Sequence, residues 1–575
     1  MKRRNFIEIL GAGGGIVATA PMLMTPGNLS ARERTMQKRI GEVEISSDLV
    51  IAGAGMGGCS CALAALRNGL SVVLTEETDW IGGQLTQQGV PFDEHRWIET
   101  HGATQLYRDF RSAIRNYYKR NYPLTENAMG RKELNPGDGA VSRLCIEPRV
   151  GVAVLTEMLM PYISSGKLTL LLNAKVNAAD TDGNTVKALK VANRVTGQSY
   201  ILKASYFADA TEMGDLLPLT GTEHVVGTES KKETGELHAP EIGDPDNQQA
   251  FTLCFALDYV PGENHVIDKP ENYNFWRSYI PKMTPSWPGR LLDLTYSTPG
   301  TLKPKTLGFH PEGINTGDVL NLWNYRKIIN RNNFLPGFFS GDVTIVNWPQ
   351  NDYMLGKIVG VDDKEFYKHI ENARQLNLSL VYWLQTEVER PDGGTGWPGI
   401  RLRRDIMGTD DGMAKYPYIR EGHRIKSLFT ILEEHVGVEN RKLVKGEKAA
   451  QKSEYFYDSV GVGSYYLDLH PTTKGNNYID LPSLPFQIPL GALIPKRMDN
   501  LLPACKNIGT THITNGCYRL HPVEWNIGEV VGMLAFYASQ KKAKPREIRE
   551  NKNLLIDFQK FIQSQGIEIN WPEQG

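Results

Sequence analysis

The chain has 575 residues, 41% of them apolar and 22% charged, with a formal net charge of −1. That is ordinary for a globular protein of two domains or one elaborated domain, and it advertises no polyanion-binding surface, so nucleic acid is not an expected partner. Six scattered cysteines without a CxxC pair leave neither a metal site nor an iron–sulfur cluster a spacing to stand on.

Residues 1–40 hold seven Lys/Arg against two Glu. Arg3-Arg4, Asn5 and Phe6-Ile7 precede a mildly apolar, glycine-rich run, "ILGAGGGIVA". Nothing strand-like comes before Gly11, so this run is not read as a nucleotide loop. The pattern resembles a twin-arginine export signal, which implies a periplasmic or secreted protein that crosses the membrane already folded. An ordinary secretory signal or a membrane anchor is the alternative. Glu8 and the glycines make a poor transmembrane span, so membrane contact is expected only through this segment if it stays uncleaved. Residues 1–44 are assigned to signal and linker.

The second glycine stretch has the right context. "DLVIAG" (48–53) predicts a buried strand, "CSCALAALRNG" a helix, and "LSVVLTE" (70–76) the next strand. Gly53, Gly55 and Gly58 complete GxGxxG between the first two. Gly53 allows the tight turn, Gly55 lets backbone approach a pyrophosphate, and Gly58 lets helix pack on strand. The helix start offers free N–H groups to the phosphates. Glu76, 23 residues after Gly53, is placed to accept hydrogen bonds from the adenosine ribose and disfavours a 2′-phosphate.

Further along, "TDWIGGQLTQQG" (78–89) carries Gly82, Gly83 and Gln84, and "FDEHRWIETHG" (92–102) carries Glu94, His95 and Arg96. Cys145 reads as a buried thiol. "ASYFADATEMG" predicts a strand running into Asp209-Ala210-Thr211, with Glu212 next. "NQQAFTLCFALDYV" (247–260) predicts a strand in a separate sheet, followed by aromatic-rich loops such as "NYNFWRSYIP" and "IVNWPQNDYM". Aromatics with Asn, Asp and Arg suit a polyhydroxylated ring, and equally suit a loop-rich core. "DSVGVGSYYLDLH" (458–470) lacks a third glycine and a following helix, so no second nucleotide unit is expected. Residues 499–538 predict a strand, a loop with Asn507, His512, Arg519 and His521, and a helix with Gly528 and Gly532 behind Pro522.

Three of these segments carry a family likeness. Gly82-Gly83 resembles the second glycine pair of the glutathione-reductase type of FAD domain. Asp209-Ala210-Thr211 resembles its short Ala-Thr-Gly-like motif, with Glu212 in place of glycine. Residues 499–538 resemble its C-terminal FAD segment, with Asn507 where that pattern has Asp. Together they resemble the FAD-dependent oxidoreductases related to the flavin region of the heterodisulfide reductases. The iron–sulfur cysteine runs of those reductases are missing, so that activity is not implied.

The resemblance implies an α/β fold. A Rossmann-like FAD-binding domain with a parallel sheet would be assembled from residues 45–220 and 456–545. An inserted α+β substrate domain would span 221–455, and a helix or tail 546–575. FAD is the implied cofactor, held by Gly53, Gly55, Gly58, Glu76, Gly82, Gly83, Gln84, Asp209, Asn507 and Gly528.

Flavin oxidation of an alcohol or amine needs a base for the leaving proton. His512 is the first expectation, with Arg519 binding substrate or steadying the reduced flavin and His521 beside it. The alternative has His521 capping the helix and Arg519 paired with Glu524 or Glu529. His95, with Glu94 and Arg96, comes second. The expected function is an exported FAD-dependent dehydrogenase or oxidase acting on a small organic substrate. That substrate is a sugar or other alcohol, which gives hydride to flavin N5, and oxygen, a quinone or a redox protein accepts the electrons. A flavin monooxygenase, an amine oxidase and a non-catalytic FAD-binding assembly protein remain alternatives.

Overall fold

The computed structural model describes residues 41–314 and 317–572. The chain divides into two units, Met1–Gly41 and Glu42–Gly575, and every element below belongs to the second. The twin-arginine reading falls on residues 1–40, outside the described residues. Among those described, no helix is long and apolar enough to cross a membrane.

Strand β1 (Val43–Ala52) begins exposed and ends in four buried residues, because only its second half enters the core. Helix α1 (Met56–Arg67) follows Gly55 directly and is buried except at Arg67. Its crossover lays β2 (Val72–Thr75) parallel beside β1, with Leu49 opposite Val72. Helix α2 (Gln105–Asn121) is capped by Thr104, whose side chain accepts from the Tyr107 amide. Helix α3 (Pro148–Ser164), opened by a proline, leads into β3 (Leu168–Leu171), parallel to β2. Strands β4 (Ala174–Asp182) and β5 (Thr185–Asn193) form an antiparallel pair. Strand β6 (Ser199–Asp209) returns parallel to β1 and puts Asp209 opposite Ala52.

A second, antiparallel sheet is built from β7 (Phe255–Tyr259), β8 (Lys327–Ile329), β9 (Val343–Val346) and β10 (Ile400–Leu402), in the order β8-β9-β7-β10. Residues 247–260 are not one strand. Phe251–Thr252 pairs with Asp352–Tyr353, and the chain breaks at Leu253-Cys254 before β7 joins the other sheet. Helix α4 (Asp363–Thr386) packs against β10.

The C-terminal segment then completes the first sheet. Strand β11 (Leu501–Pro503) pairs parallel with β6, so the large sheet draws on residues 43–209 and 501–503. Helix α5 (His512–Tyr518) and helix α6 (His521–Lys541) follow, with Pro522 in the first turn of α6. Helix α7 (Lys552–Ser564) is the last helix among the described residues. Helix α6 lies against α1 at backbone distance. A Cβ on Gly528 would stand 1.9 Å from the Gly57 oxygen, and one on Gly532 would stand 2.3 Å from the Cys61 oxygen. The Ser60 hydroxyl donates across this contact to the Trp525 carbonyl at 2.8 Å.

Candidate functional site

The turn after β1 has the geometry its glycines require. Gly53 sits at φ +92°, and a Cβ there would lie 2.3 Å from the Ala210 oxygen. A Cβ on Gly58 would lie 2.0 Å from the Gly53 oxygen, so this glycine lets α1 press onto the turn. Gly55 and Gly83 face each other: a Cβ on Gly83 would fall 2.7 Å from the Gly55 Cα. Gly82 (φ +111°) and Gly83 (φ +56°) both occupy conformations that favour glycine.

Beside these loops runs a groove lined by Gly53, Gly55, Glu76, Lys175, Thr211 and Glu212. Glu76 accepts from the Ala54 amide at 3.1 Å and from the Thr78 amide at 2.9 Å, which fixes its carboxylate at the end of β2. Burial pushes its carboxyl up to about 8, against the hydrogen bonds from Thr78 and Ala54. The residues fit a dinucleotide. The facing glycines leave a slot that any side chain would fill, and an acid stands at the ribose position. One group stands in the way. Glu212 projects between Gly55 and Gly83, its Oε1 buried without a hydrogen-bond partner and its Oε2 paired with the Lys506 ammonium. A diphosphate at the start of α1 requires this side chain to rotate aside.

The remaining predicted cofactor residues lie behind the groove. Asp209 accepts from the Thr211 amide at 3.1 Å and the Leu216 amide at 3.0 Å, shaping the turn whose other residues face the groove. Burial pushes its carboxyl up to about 6. Asn507 ties the two sequence halves together: its amide donates to the Asp209 carbonyl at 3.0 Å, and its oxygen accepts from the Cys505 amide at 3.2 Å. Gly528 faces Gly57 and Ser60 on α1 and is a packing residue between helices. Gln84 is fully buried and donates to Glu524 at 2.6 Å and to the Arg519 carbonyl at 3.1 Å. Glu524 in turn accepts from the Gly57 amide at 3.2 Å. Glu212, Cys505 and Glu524 bring ligand atoms within 4.8 Å of one another, and the Lys506 ammonium already sits in that cluster.

The predicted catalytic residues separate. His512 bonds through Nδ1 to Glu421 at 2.7 Å and its amide donates to Glu229 at 2.9 Å, in a buried cluster with Arg424. His521 is fully buried and its Nδ1 accepts from the Asp93 amide at 3.1 Å, so it does not cap α6. Burial holds it neutral down to about pH 3. His95 bonds to the Gly102 carbonyl at 3.0 Å and packs edge-on against Trp571, tying its loop to the C-terminal segment. Burial lowers it to about 4. Glu94 is consumed by Arg111, Tyr107 and Ser142, and Arg96 stacks on Trp97. Cys145 is buried and its thiol pushed up to about 12 by that burial.

Arg519 alone reaches an open site. Its guanidinium donates to the Tyr418 hydroxyl at 2.5 Å and to Asp468 at 3.0 Å, rather than pairing with Glu524 or Glu529. It lines a cavity of about 440 Å³ whose wall also holds Asp93, Arg326, Trp348, Arg420 and His470. Six tyrosines, at 296, 325, 418, 465, 466 and 478, also line it. His470 bonds through Nδ1 to Asp352 at 2.5 Å, and its Nε2 lies 3.9 Å from Asp468. Asp352 is fully buried behind it and also accepts from Arg420 at 3.0 Å and Thr252 at 2.5 Å. Burial opposes its ionisation, yet Arg420 and His470 together hold its carboxyl at about 2. Asp480 faces the same space, pushed up to about 6 by burial and by Asp468.

Asp93 and Asp352 lie in the stretches "FDEHRWIETHG" and "IVNWPQNDYM", where sequence reasoning does not single them out, and Arg326, Arg420 and His470 carry no motif. The one signal in reach is the tyrosine density of "SYYLDLHPTTKGNNY" around His470.

Comparison with known proteins agrees with the groove. A family model described as FAD dependent oxidoreductase matches residues 48–562. No curated protein matches the chain. Among solved structures, an L-proline dehydrogenase from P. horikoshii is similar at 14% identity and a TM-score of 0.18, over 33% of this chain and 25% of that one. An E. coli quinol fumarate reductase is similar at 10% identity and 0.32, over 91% and 74%. A glycerol-3-phosphate dehydrogenase from Bacillus halodurans complexed with FAD is similar at 14% identity and 0.22, over 40% and 42%. The chain therefore spans a quarter of the first relative's length and less than half of the third's.

Proposed function

The chain belongs to the FAD-dependent oxidoreductase family, and from that premise we propose that it oxidises a small hydroxylated organic substrate, a sugar or other alcohol, in the cavity beside Arg519. The observation that carries this reading is the link through Gln84. Its side chain follows the glycine pair of the nucleotide groove and donates to the backbone of the residue whose guanidinium lines the cavity.

FAD, when bound, supplies the two-electron acceptor for a hydride leaving carbon. Gly53, Gly55, Glu76, Gly82 and Gly83 would hold it along the groove. The protein's own part is to bind the substrate and take a proton. Because Asp352 is ionised, the hydrogen bond to it places a proton on His470 Nδ1, so that in the neutral ring Nε2 carries the lone pair. Nε2 is the atom that accepts the hydroxyl proton, and Asp352 then stabilises the imidazolium. His470 therefore takes the role expected of His512, whose Nδ1 is engaged with Glu421 away from this cavity. The tyrosine hydroxyls and Trp348 offer hydrogen bonds and ring faces to a polyol.

The test is an anaerobic substrate panel with the flavin absorbance as readout. Alcohols or sugars should bleach it. Bleaching by amines alone would favour an amine oxidase, and bleaching by dithionite but by no organic substrate would favour a non-catalytic FAD protein. The electron acceptor is proposed to be oxygen, a quinone or a redox protein. Export is proposed from Arg3-Arg4: replacing both by Lys should trap the protein in the cytoplasm, and unchanged export would remove the twin-arginine reading.

A further inference from the structure

Arg326 is the least satisfied charge in the cavity. Its side chain is one-tenth exposed. Its Nε and Nη1 are buried without a hydrogen-bond partner, and its nearest countercharge is an Asp93 oxygen 3.6 Å from Nη2, beyond hydrogen-bonding range. The other two guanidiniums of the wall leave only Nε unpartnered. Arg420 donates to the Ala250 carbonyl at 2.7 Å and to Asp352, and Arg519 to Tyr418 and Asp468. The carboxylates follow the same division. Asp352 serves Arg420 and His470, and Asp468 serves Arg519. A guanidinium stays charged at any working pH, and a buried one demands an acceptor. Each of its two carboxylate-matching edges contains one of the unbonded nitrogens.

We propose that the substrate carries a carboxylate that docks on Arg326, with its hydroxyl-bearing carbon toward His470. The inference rests on the oxidation reading above for what happens next, and on Arg326 alone for binding. A hydroxy acid offers a group to each of these two side chains. Its carboxylate supplies the acceptor that Arg326 lacks, and its hydroxyl meets the imidazole. A neutral polyol leaves the cation with Asp93, 3.6 Å away, as its nearest carboxylate. Asp93 beside Arg326 and Asp480 elsewhere in the lining disfavour a second anion.

The test uses FAD-loaded protein and matched pairs: glycolate against ethylene glycol, lactate against 1,2-propanediol, and glucuronate against glucose. Binding is read from the thermal midpoint and turnover from flavin bleaching without oxygen. In the wild type, at least one acid should raise the midpoint at a concentration at least tenfold below its neutral partner. Arg326→Met should erase that difference. Arg326→Lys, which keeps the charge but loses the planar donors, should weaken acid binding about tenfold and covers the case in which the methionine variant does not fold. Neutral partners that match the acids in the wild type, or an acid preference that survives in both variants, would overturn the proposal. If an acid binds through Arg326 and no compound bleaches the flavin, the oxidation reading fails and the docking inference stands.

Discussion

Gly528→Ala tests whether this glycine is a packing residue, as its surroundings say. The new Cβ would stand 1.9 Å from the Gly57 oxygen and 2.4 Å from the Ser60 hydroxyl, whereas ordinary contact begins near 3.4 Å. Helices α1 and α6 must therefore part locally by roughly the difference, about 1.5 Å, to admit one methyl group. The obstacle is backbone in the first turn of α1, which cannot swing away as a side chain can. Overpacking of this kind costs about 1–3 kcal/mol, and the rigidity of the contact places Gly528→Ala at about 3 kcal/mol. The gain in helix propensity returns only about 1 kcal/mol. Gly130 is the control, because a Cβ there meets nothing within 4 Å. Urea denaturation of the FAD-loaded protein at pH 7 reads both. Gly130→Ala should stay within about 0.5 kcal/mol of wild type. A Gly528→Ala midpoint equally close to wild type would refute the argument from close approach.

Other expectations follow from the site. Gly55→Val places a branched side chain against Glu212, Glu524 and Gly83, so purified protein should be colourless; stoichiometric FAD in this variant would sink the groove assignment. Asp352→Asn breaks the buried pairs with Arg420 and His470 and should destabilise the fold by about 3–5 kcal/mol at pH 7. Asp352 has a folded value of about 2 against 3.8. Its contribution is therefore complete above the unfolded value and lost only as pH falls towards the folded one. The gap between variant and wild type should then persist from pH 7 to pH 5, and a gap that closes by pH 5 would count against the assignment. His521 runs the other way from a histidine with an acidic partner. It is neutral when folded down to about 3 and titrates near 6.5 when unfolded, so its contribution is lost as pH falls below 6.5. That is about 2 kcal/mol between pH 7 and pH 5. His521→Asn should flatten the acid slope by that amount, and an unchanged slope would show that the group does not titrate as its burial demands.

The nucleotide half of the molecule is legible in the sequence because its signals are local. Strand, turn, helix and acid lie within residues 43–76, although only Gly58 answers a contact inside that span, Gly53 meeting Ala210 and Gly55 facing Glu212 and Gly83. The cavity is opaque because its residues come from positions 93, 326, 420, 470 and 519, which only the folded chain brings together. His512 illustrates the difference. It stands seven residues from Arg519, yet helix α5 fills that interval and carries the two ends about 10 Å apart. His512 ends against Glu421 and Arg519 against Asp468. Gln84 and Asn507 stand at the expected places, but as side chains that hold backbone rather than line the groove.

The close passage of α6 over α1 also sets an order of events in the cell. The nucleotide turn leaves the ribosome early, at Gly53, while the helix that braces it and the carboxylate that accepts from the Gly57 amide arrive only with residue 524. Nearly the whole polypeptide must be translated before that turn has its final shape. Loading of the dinucleotide is therefore a task for the finished chain, not the nascent one.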